Sequence, residues 1–101
     1  MKTKWVSYAI AILKSINSGA GTANNIAEDA AIPLAYARKV IATLRAKGVI
    51  NENYDITQDV NTITVKDMFT IAGVDYGTTE TEDKLIRSIL DNMSIPISRV
   101  W

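Results

Sequence analysis

Apolar residues in the first half of the chain recur at helical spacing. In residues 3–17 they fall at i, i+3, i+4, i+7, i+8 and i+11, which predicts an amphipathic helix with one apolar stripe. The stripe consists of Trp5, Tyr8, Ala9, Ile12, Leu13 and Ile16. Thr22 is a favourable N-cap for a second helix that ends near Ala30 or Ala31, and Pro33 suits the first turn of a third helix that continues to about Lys47. The residues expected to face the core from these two helices are Ile26, Ala27, Tyr36, Val40, Ile41 and Leu44.

The pattern changes after Gly48, a residue type that commonly ends helices. Residues 49–52 and 54–57 alternate between apolar and polar positions, and Asn51–Glu52–Asn53 has the composition of a turn, so a small β-hairpin is predicted. Thr64-x-x-Asp67 then resembles a capping box, which predicts a short helix closed by Gly73.

A last helix is predicted from Thr79-x-x-Glu82 to about Met93, before Pro96 breaks the tail. Its apolar stripe consists of Leu85, Ile86, Ile89, Leu90 and Met93. The order helix, helix, helix, hairpin is that of a winged helix-turn-helix. The predicted fold class is therefore mainly α with a small β-hairpin: a winged helix-turn-helix over residues 1–78 and a C-terminal helix and tail over residues 79–101, within a single structural unit.

Length and composition favour one soluble globular domain. The 101 residues are 48% apolar and 22% charged, and no apolar run reaches the length of a membrane span. The basic start at Lys2 and Lys4 superficially suggests a secretion signal, but Lys14 and polar residues follow without a cleavage site. We therefore expect a cytoplasmic protein.

The sequence contains few of the residue types that catalysis commonly uses. The chain contains no Cys and no His, which excludes thiolate chemistry and removes the usual general base and the commonest metal ligand. The carboxylate pairs Glu28–Asp29 and Glu82–Asp83 fit helix N-terminal dipole stabilisation or solvation better than acid–base catalysis. We expect no enzyme activity, no cofactor and no metal.

The net charge of zero conceals an uneven distribution. Residues 1–50 carry seven Lys and Arg against two acids, a net charge of +5, whereas residues 51–101 carry four against nine, a net charge of −5. Such a division favours an anionic partner for the first half.

Motifs along nearly the whole chain resemble one family. They are, in order, Tyr8–Ala9, Ile26–Ala27–Glu28, Ile32–Pro33 with Tyr36, Val40–Ile41 with Leu44 and Gly48–Val49–Ile50, Tyr54 with Ile56, residues 63–67 with Ala72–Gly73, and residues 90–95. In this order they resemble the Rrf-two family of winged-helix transcriptional regulators. The resemblance implies a DNA-binding regulator that dimerises through its last helix.

Two departures from the family pattern limit what the resemblance implies. The family places Arg-Gly and Gly-Gly pairs in a wing tip that reaches the minor groove, whereas the shorter Asn51–Glu52–Asn53 stands there in this chain. Cluster-binding members carry three Cys before the last helix, and residues 76–80 contain none, so thiolates cannot hold an iron–sulfur cluster.

The third helix supplies most of the candidate DNA contacts. Arg38 and Lys39 lie in the half that a helix-turn-helix inserts into the major groove, where Arg can pair with guanine and Lys can reach a base or a phosphate. The alternative is a solvated helix face. Tyr36 can contact a phosphate or be partly buried, and Leu34 and Ala35 can touch thymine methyls or be ordinary exposed apolar residues.

Further candidates are phosphate contacts. Thr22, Asn24 and Asn25 lie at a helix N-terminus, where backbone amides favour a phosphate, although simple capping explains them equally. Arg45 and Lys47 are expected to be non-specific phosphate contacts or solvated charges.

Two functions therefore remain open. The first is a homodimeric, sequence-specific regulator of transcription, in the simplest case a repressor, bound to double-stranded DNA. The second is a protein-interaction module in which a winged-helix scaffold has lost its DNA wing and binds a protein partner, for example in the transcription machinery. The zero net charge and Glu52 at the turn favour the second.

Overall fold

The computed structural model describes residues 3–73 and 95–100. Within these residues the chain is mainly helical and forms no β-strand. The described part of the chain contains four α-helices and one 3₁₀ turn, in the order α1 (Thr3–Asn17), α2 (Ala23–Ala30), α3 (Leu34–Ala46), α4 (Val65–Ala72) and the 3₁₀ turn (Ile97–Arg99). The predicted last helix, with Leu85, Ile86, Ile89, Leu90 and Met93, lies outside the described residues.

The core is built from helix faces that the apolar spacing predicts. Helices α1, α2 and α3 pack against one another, and α4 packs on α1. The predicted residues Ala9, Ile12, Leu13, Ile16, Ile26, Ala27, Val40, Ile41 and Leu44 are all buried. Trp5, Tyr8 and Tyr36 pack at the edge of this core and keep part of their surface exposed. None of the helices in the described part of the chain has both the length and the apolar character to cross a membrane.

Local signals fix the helix ends. Thr22 caps α2, because its Oγ1 accepts a hydrogen bond from the Asn25 amide at 3.1 Å. Thr64 and Asp67 form the predicted capping box of α4. Pro33 was expected in the first turn of the third helix and is the N-cap residue just before it; its carbonyl accepts from the Ala37 amide at 2.9 Å. The helix-dipole explanation for Glu28–Asp29 is wrong, because both residues lie exposed in the last turn of α2.

The predicted hairpin is not confirmed, because residues 49–57 form no pair of strands. The chain forms one isolated antiparallel bridge between Ile50 and Ile56. The ladder cannot grow towards the turn, because the Asp55 amide donates to the side-chain Oδ1 of Asn51 at 3.0 Å and not to its backbone carbonyl. It cannot grow in the other direction, because the Val49 amide donates to the Leu44 carbonyl at the end of α3.

The C-terminal tail returns to the core, which the sequence did not predict. The Ile97 amide donates to the Ile63 carbonyl at 2.8 Å, and the Val65 amide donates to the Ile95 carbonyl at 3.0 Å. These bonds form a second isolated bridge, between Thr64 and Pro96, at a position that needs no amide from the proline. The side chain of Ile97 is fully buried as a result.

Ser15 on α1 is the buried polar residue of this core. It is 2% exposed, and its hydroxyl has no hydrogen-bond partner among the described residues. A buried hydroxyl without a partner opposes folding, and alanine is also the better helix former.

We expect Ser15→Ala to raise the free energy of unfolding by about 1–2 kcal/mol, measured by chemical denaturation. Ser7→Ala, on the exposed side of the same helix, controls for helix propensity, and a loss of stability in Ser15→Ala would show that the hydroxyl has a partner.

Candidate nucleic-acid interface

The exposed side of α3 carries two cations among small side chains. Residues 37, 40, 41 and 44 face the core, so the opposite side of the helix points to solvent. We call this side the outer face of α3; it consists of Ala35, Arg38, Lys39, Ala42 and Ala46, which are all exposed. Its alanines leave the helix backbone close to the surface. A partner can therefore approach the helix closely, and the long side chains of Arg38 and Lys39 extend towards that partner.

A tightly defined turn sets α2 against α3. Ala31 has the left-handed φ of 55°, and its amide bonds back to the last turn of α2. The Ile32 amide donates to the Ala27 carbonyl at 2.9 Å, and the Ile32 side chain is buried. These contacts fix the direction in which the chain enters Pro33 and α3. The outer face of α3 is thereby fixed in orientation relative to α2.

The N-terminus of α2 has one side chain engaged and two exposed. Thr22 uses its Oγ1 to cap the helix, so the capping explanation is confirmed for this residue. Asn24 and Asn25 are exposed in the first turn. The Asn25 amide is already bonded to Thr22, so the groups left for an anion are the amides that precede it in this turn and the side chains of Asn24 and Asn25.

An aromatic pair joins α1 to the start of α3. The rings of Tyr8 and Tyr36 make an edge-to-face contact with centroids 4.9 Å apart and planes at 84°. Lys4 lies one helical turn before Tyr8, and its Nζ is 5.6 Å from the Tyr8 ring centroid. Tyr36 is half-buried and packs against α1 through Tyr8, and Lys4 is a cation beside Tyr8 that sequence reasoning missed. The i, i+4 spacing of Lys4 and Tyr8 was the available signal.

Of the other predicted α3 contacts, Leu34 is half-buried at the first position of the helix and Ala35 is exposed beside it. Arg45 lies near the far end of α3. Its Nε donates to the Asn51 carbonyl at 3.4 Å, and its Nη2 donates to the Glu52 carbonyl at 3.3 Å. Arg45 is therefore bound to protein groups, whereas Arg38 and Lys39 are exposed.

The side of the molecule around residues 54–60 has the opposite charge. A groove of about 370 Å³ lies there between the end of α1 and the loop of residues 54–60. Its lining residues are Ile16, Asn17, Tyr54, Asp55, Ile56, Gln58, Asp59 and Val60. The charged groups in this lining are two carboxylates. The described part of the chain thus separates a basic helix face from an acidic loop.

Comparison with protein-family models, with curated proteins and with solved structures gave no match.

Proposed function

We propose that this chain is a sequence-specific DNA-binding regulator of transcription, in the simplest case a repressor, that acts as a homodimer. The observation that carries the proposal is the outer face of α3. It presents Arg38 and Lys39 to solvent on a helix that a fixed turn joins to a capped α2. Two helices in this relation, with one face of the second exposed, suit the reading of a DNA major groove.

The outer face of α3 suggests how bases would be read. Arg38 pairs with a guanine edge, and Lys39 reaches a base or the adjacent phosphate. The alanines at positions 35, 42 and 46 permit close approach and leave room for thymine methyls. The first turn of α2, with Asn24 and Asn25, and the Lys4 ammonium beside Tyr8 hold phosphates and set the orientation.

Residues 49–57 act as a shortened wing in this proposal. The single Ile50–Ile56 bridge stands where a winged helix has its hairpin, and the turn carries Glu52. A short acidic wing makes few contacts in the negatively charged minor groove. Specificity then depends on α3 and on two protomers engaging two half-sites.

The proposal of a homodimer rests on the sequence alone. Leu85, Ile86, Ile89, Leu90 and Met93 form the stripe that the Rrf-two resemblance assigns to dimerisation, and they lie outside the described residues. Two copies related by a two-fold axis require an operator with inverted half-sites about one helical turn, or a multiple of it, apart.

The test is selection of bound sequences from random double-stranded DNA with the full chain. We expect an inverted repeat to be enriched, and binding to this operator to exceed binding to scrambled DNA of the same length across a salt series. Affinity should fall steeply with salt, because the phosphate contacts release counterions. No enrichment, with equal affinity for operator and scrambled DNA, would refute the proposal.

The acidic groove favours the second candidate, a protein-interaction module. Asp55 and Asp59 line it together with the Tyr54 ring, which suits a basic segment of a protein partner such as a component of the transcription machinery. Heparin chromatography discriminates between the two functions. A DNA-binding chain should be retained and elute with salt, whereas a module that uses the acidic groove should pass through.

A further inference from the structure

The guanidinium of Arg45 is held on three sides by one short turn. Its Nε and Nη2 donate to the carbonyls of Asn51 and Glu52, and its Cζ lies 4.4 Å from the centroid of the Tyr54 ring. We call residues 51–54 the 51–54 turn. The planar guanidinium thus reaches two consecutive carbonyls and stacks on an aromatic ring, a combination that a lysine ammonium cannot reproduce.

The 51–54 turn needs such support. Tyr54 has a φ of 60°, in the left-handed region that an aromatic residue rarely adopts. The backbone ladder stops at one bridge, and the Asn51 side chain accepts the amides of Asn53 and Asp55 in its place. Two backbone bonds, from the Tyr54 amide to the Asn51 carbonyl and from the Asn51 amide to the Asp55 carbonyl, complete the turn, and Arg45 adds a side-chain contact from α3.

We propose that Arg45 is a positioning residue, which holds the 51–54 turn against the end of α3 so that DNA meets one fixed surface. This inference rests on the proposed function, and it replaces the phosphate contact expected for Arg45 from sequence. To reach a phosphate, Arg45 has to leave both carbonyls and the Tyr54 ring. The positive charge of the guanidinium is therefore engaged by groups of the protein itself, beside the acidic turn.

Two substitutions of Arg45 separate positioning from phosphate binding. A phosphate contact depends mainly on charge, so Arg45→Lys should preserve it, and Arg45→Ala should reduce the salt slope by about one per site lost. Positioning depends on the two-pronged donor, so Arg45→Lys and Arg45→Ala should weaken operator binding alike. We expect both variants to bind about three- to tenfold more weakly, from the added ordering on binding, with an unchanged salt slope.

The second measurement needs no DNA. Amide hydrogen exchange at Asn53 and Asp55 reports the two bonds to Asn51 Oδ1. Both Arg45 variants should accelerate it, while the amides of the α1 core keep their protection. Lys47→Ala is the matched control, because it removes an exposed cation two residues away and should leave the turn amides protected.

Two outcomes overturn the proposal. One is full operator affinity in Arg45→Lys together with a reduced salt slope in Arg45→Ala, which would make Arg45 a phosphate contact. The other is unchanged exchange at Asn53 and Asp55 in both Arg45 variants. If the wild type binds no selected DNA, the proposed function fails, and the exchange measurement decides by itself whether Arg45 positions the turn.

Discussion

Ile97→Ala is expected to lower the free energy of unfolding by about 2–5 kcal/mol, although the residue lies close to the end of the chain. Ile97 is fully buried in the same core as α1 and α4, and truncation leaves a cavity that the surrounding helices fill only in part. Chemical denaturation monitored by circular dichroism gives the value. Val100→Ala is the matched control, because Val100 is 49% exposed and its truncation should change stability by less than about 0.5 kcal/mol.

The backbone pairing of the tail gives an independent check on this prediction. The amides of Ile97 and Val65 donate to carbonyls across the bridge, and the Val65 amide is one that a helix start otherwise leaves without a partner. Slow hydrogen exchange at both amides is expected in the wild type and fast exchange in Ile97→Ala. Equal stability losses in Ile97→Ala and Val100→Ala would contradict the docking of the tail.

Arg38→Ala is expected to weaken binding to the selected operator by about 1–3 kcal/mol and to relax the preference at one base pair per half-site. The physical reason is that a guanidinium paired with a guanine edge discriminates against the other bases, whereas a phosphate contact carries no sequence information. The measurement is binding to the operator, to operators changed at single positions and to scrambled DNA.

Arg99→Ala is the matched control, since Arg99 is an exposed arginine in the tail, outside α2 and α3. It should leave the base preference unchanged. The denaturation midpoint of Arg38→Ala should equal that of the wild type, which shows that the affinities are compared between folded proteins. A uniform loss of affinity for all sequences would identify Arg38 as a phosphate contact and leave base reading to other residues of the outer face of α3.

Features encoded over a few neighbouring residues were predictable from sequence. The capping signal of Thr22 and the capping box of Thr64 and Asp67 act across three positions, and the structure contains both. The apolar stripe of α1 repeats at the helical period, so its buried side followed from spacing alone. Such signals need no knowledge of the distant chain.

Features that depend on competition or on distant contacts were not predictable. Asn51 is a residue type that is common in turns, but its side chain also accepts a backbone amide in place of its own carbonyl. This competition stops the predicted strand pairing after one bridge. Ile97 belongs to no repeating pattern in the sequence. Its burial depends on a contact with Ile63, a remote part of the chain, and no local signal predicts such a contact. The sequence separates Arg38 from Arg45 by their positions along the third helix, but it does not show that Arg45 is bonded to the 51–54 turn, because that contact depends on how the turn folds back on α3.

The two isolated bridges also restrict how this domain can recruit another polypeptide. An extended peptide adds to a sheet by pairing with a row of free amides and carbonyls along an edge strand. Residues 3–73 and 95–100 offer no such row, because each pairing is one bridge long and one of them contains Pro96. Strand addition to this part of the chain, and edge-to-edge aggregation by the same route, are therefore disfavoured. A protein partner that docks here would have to recognise helix faces or the acidic groove by its side chains.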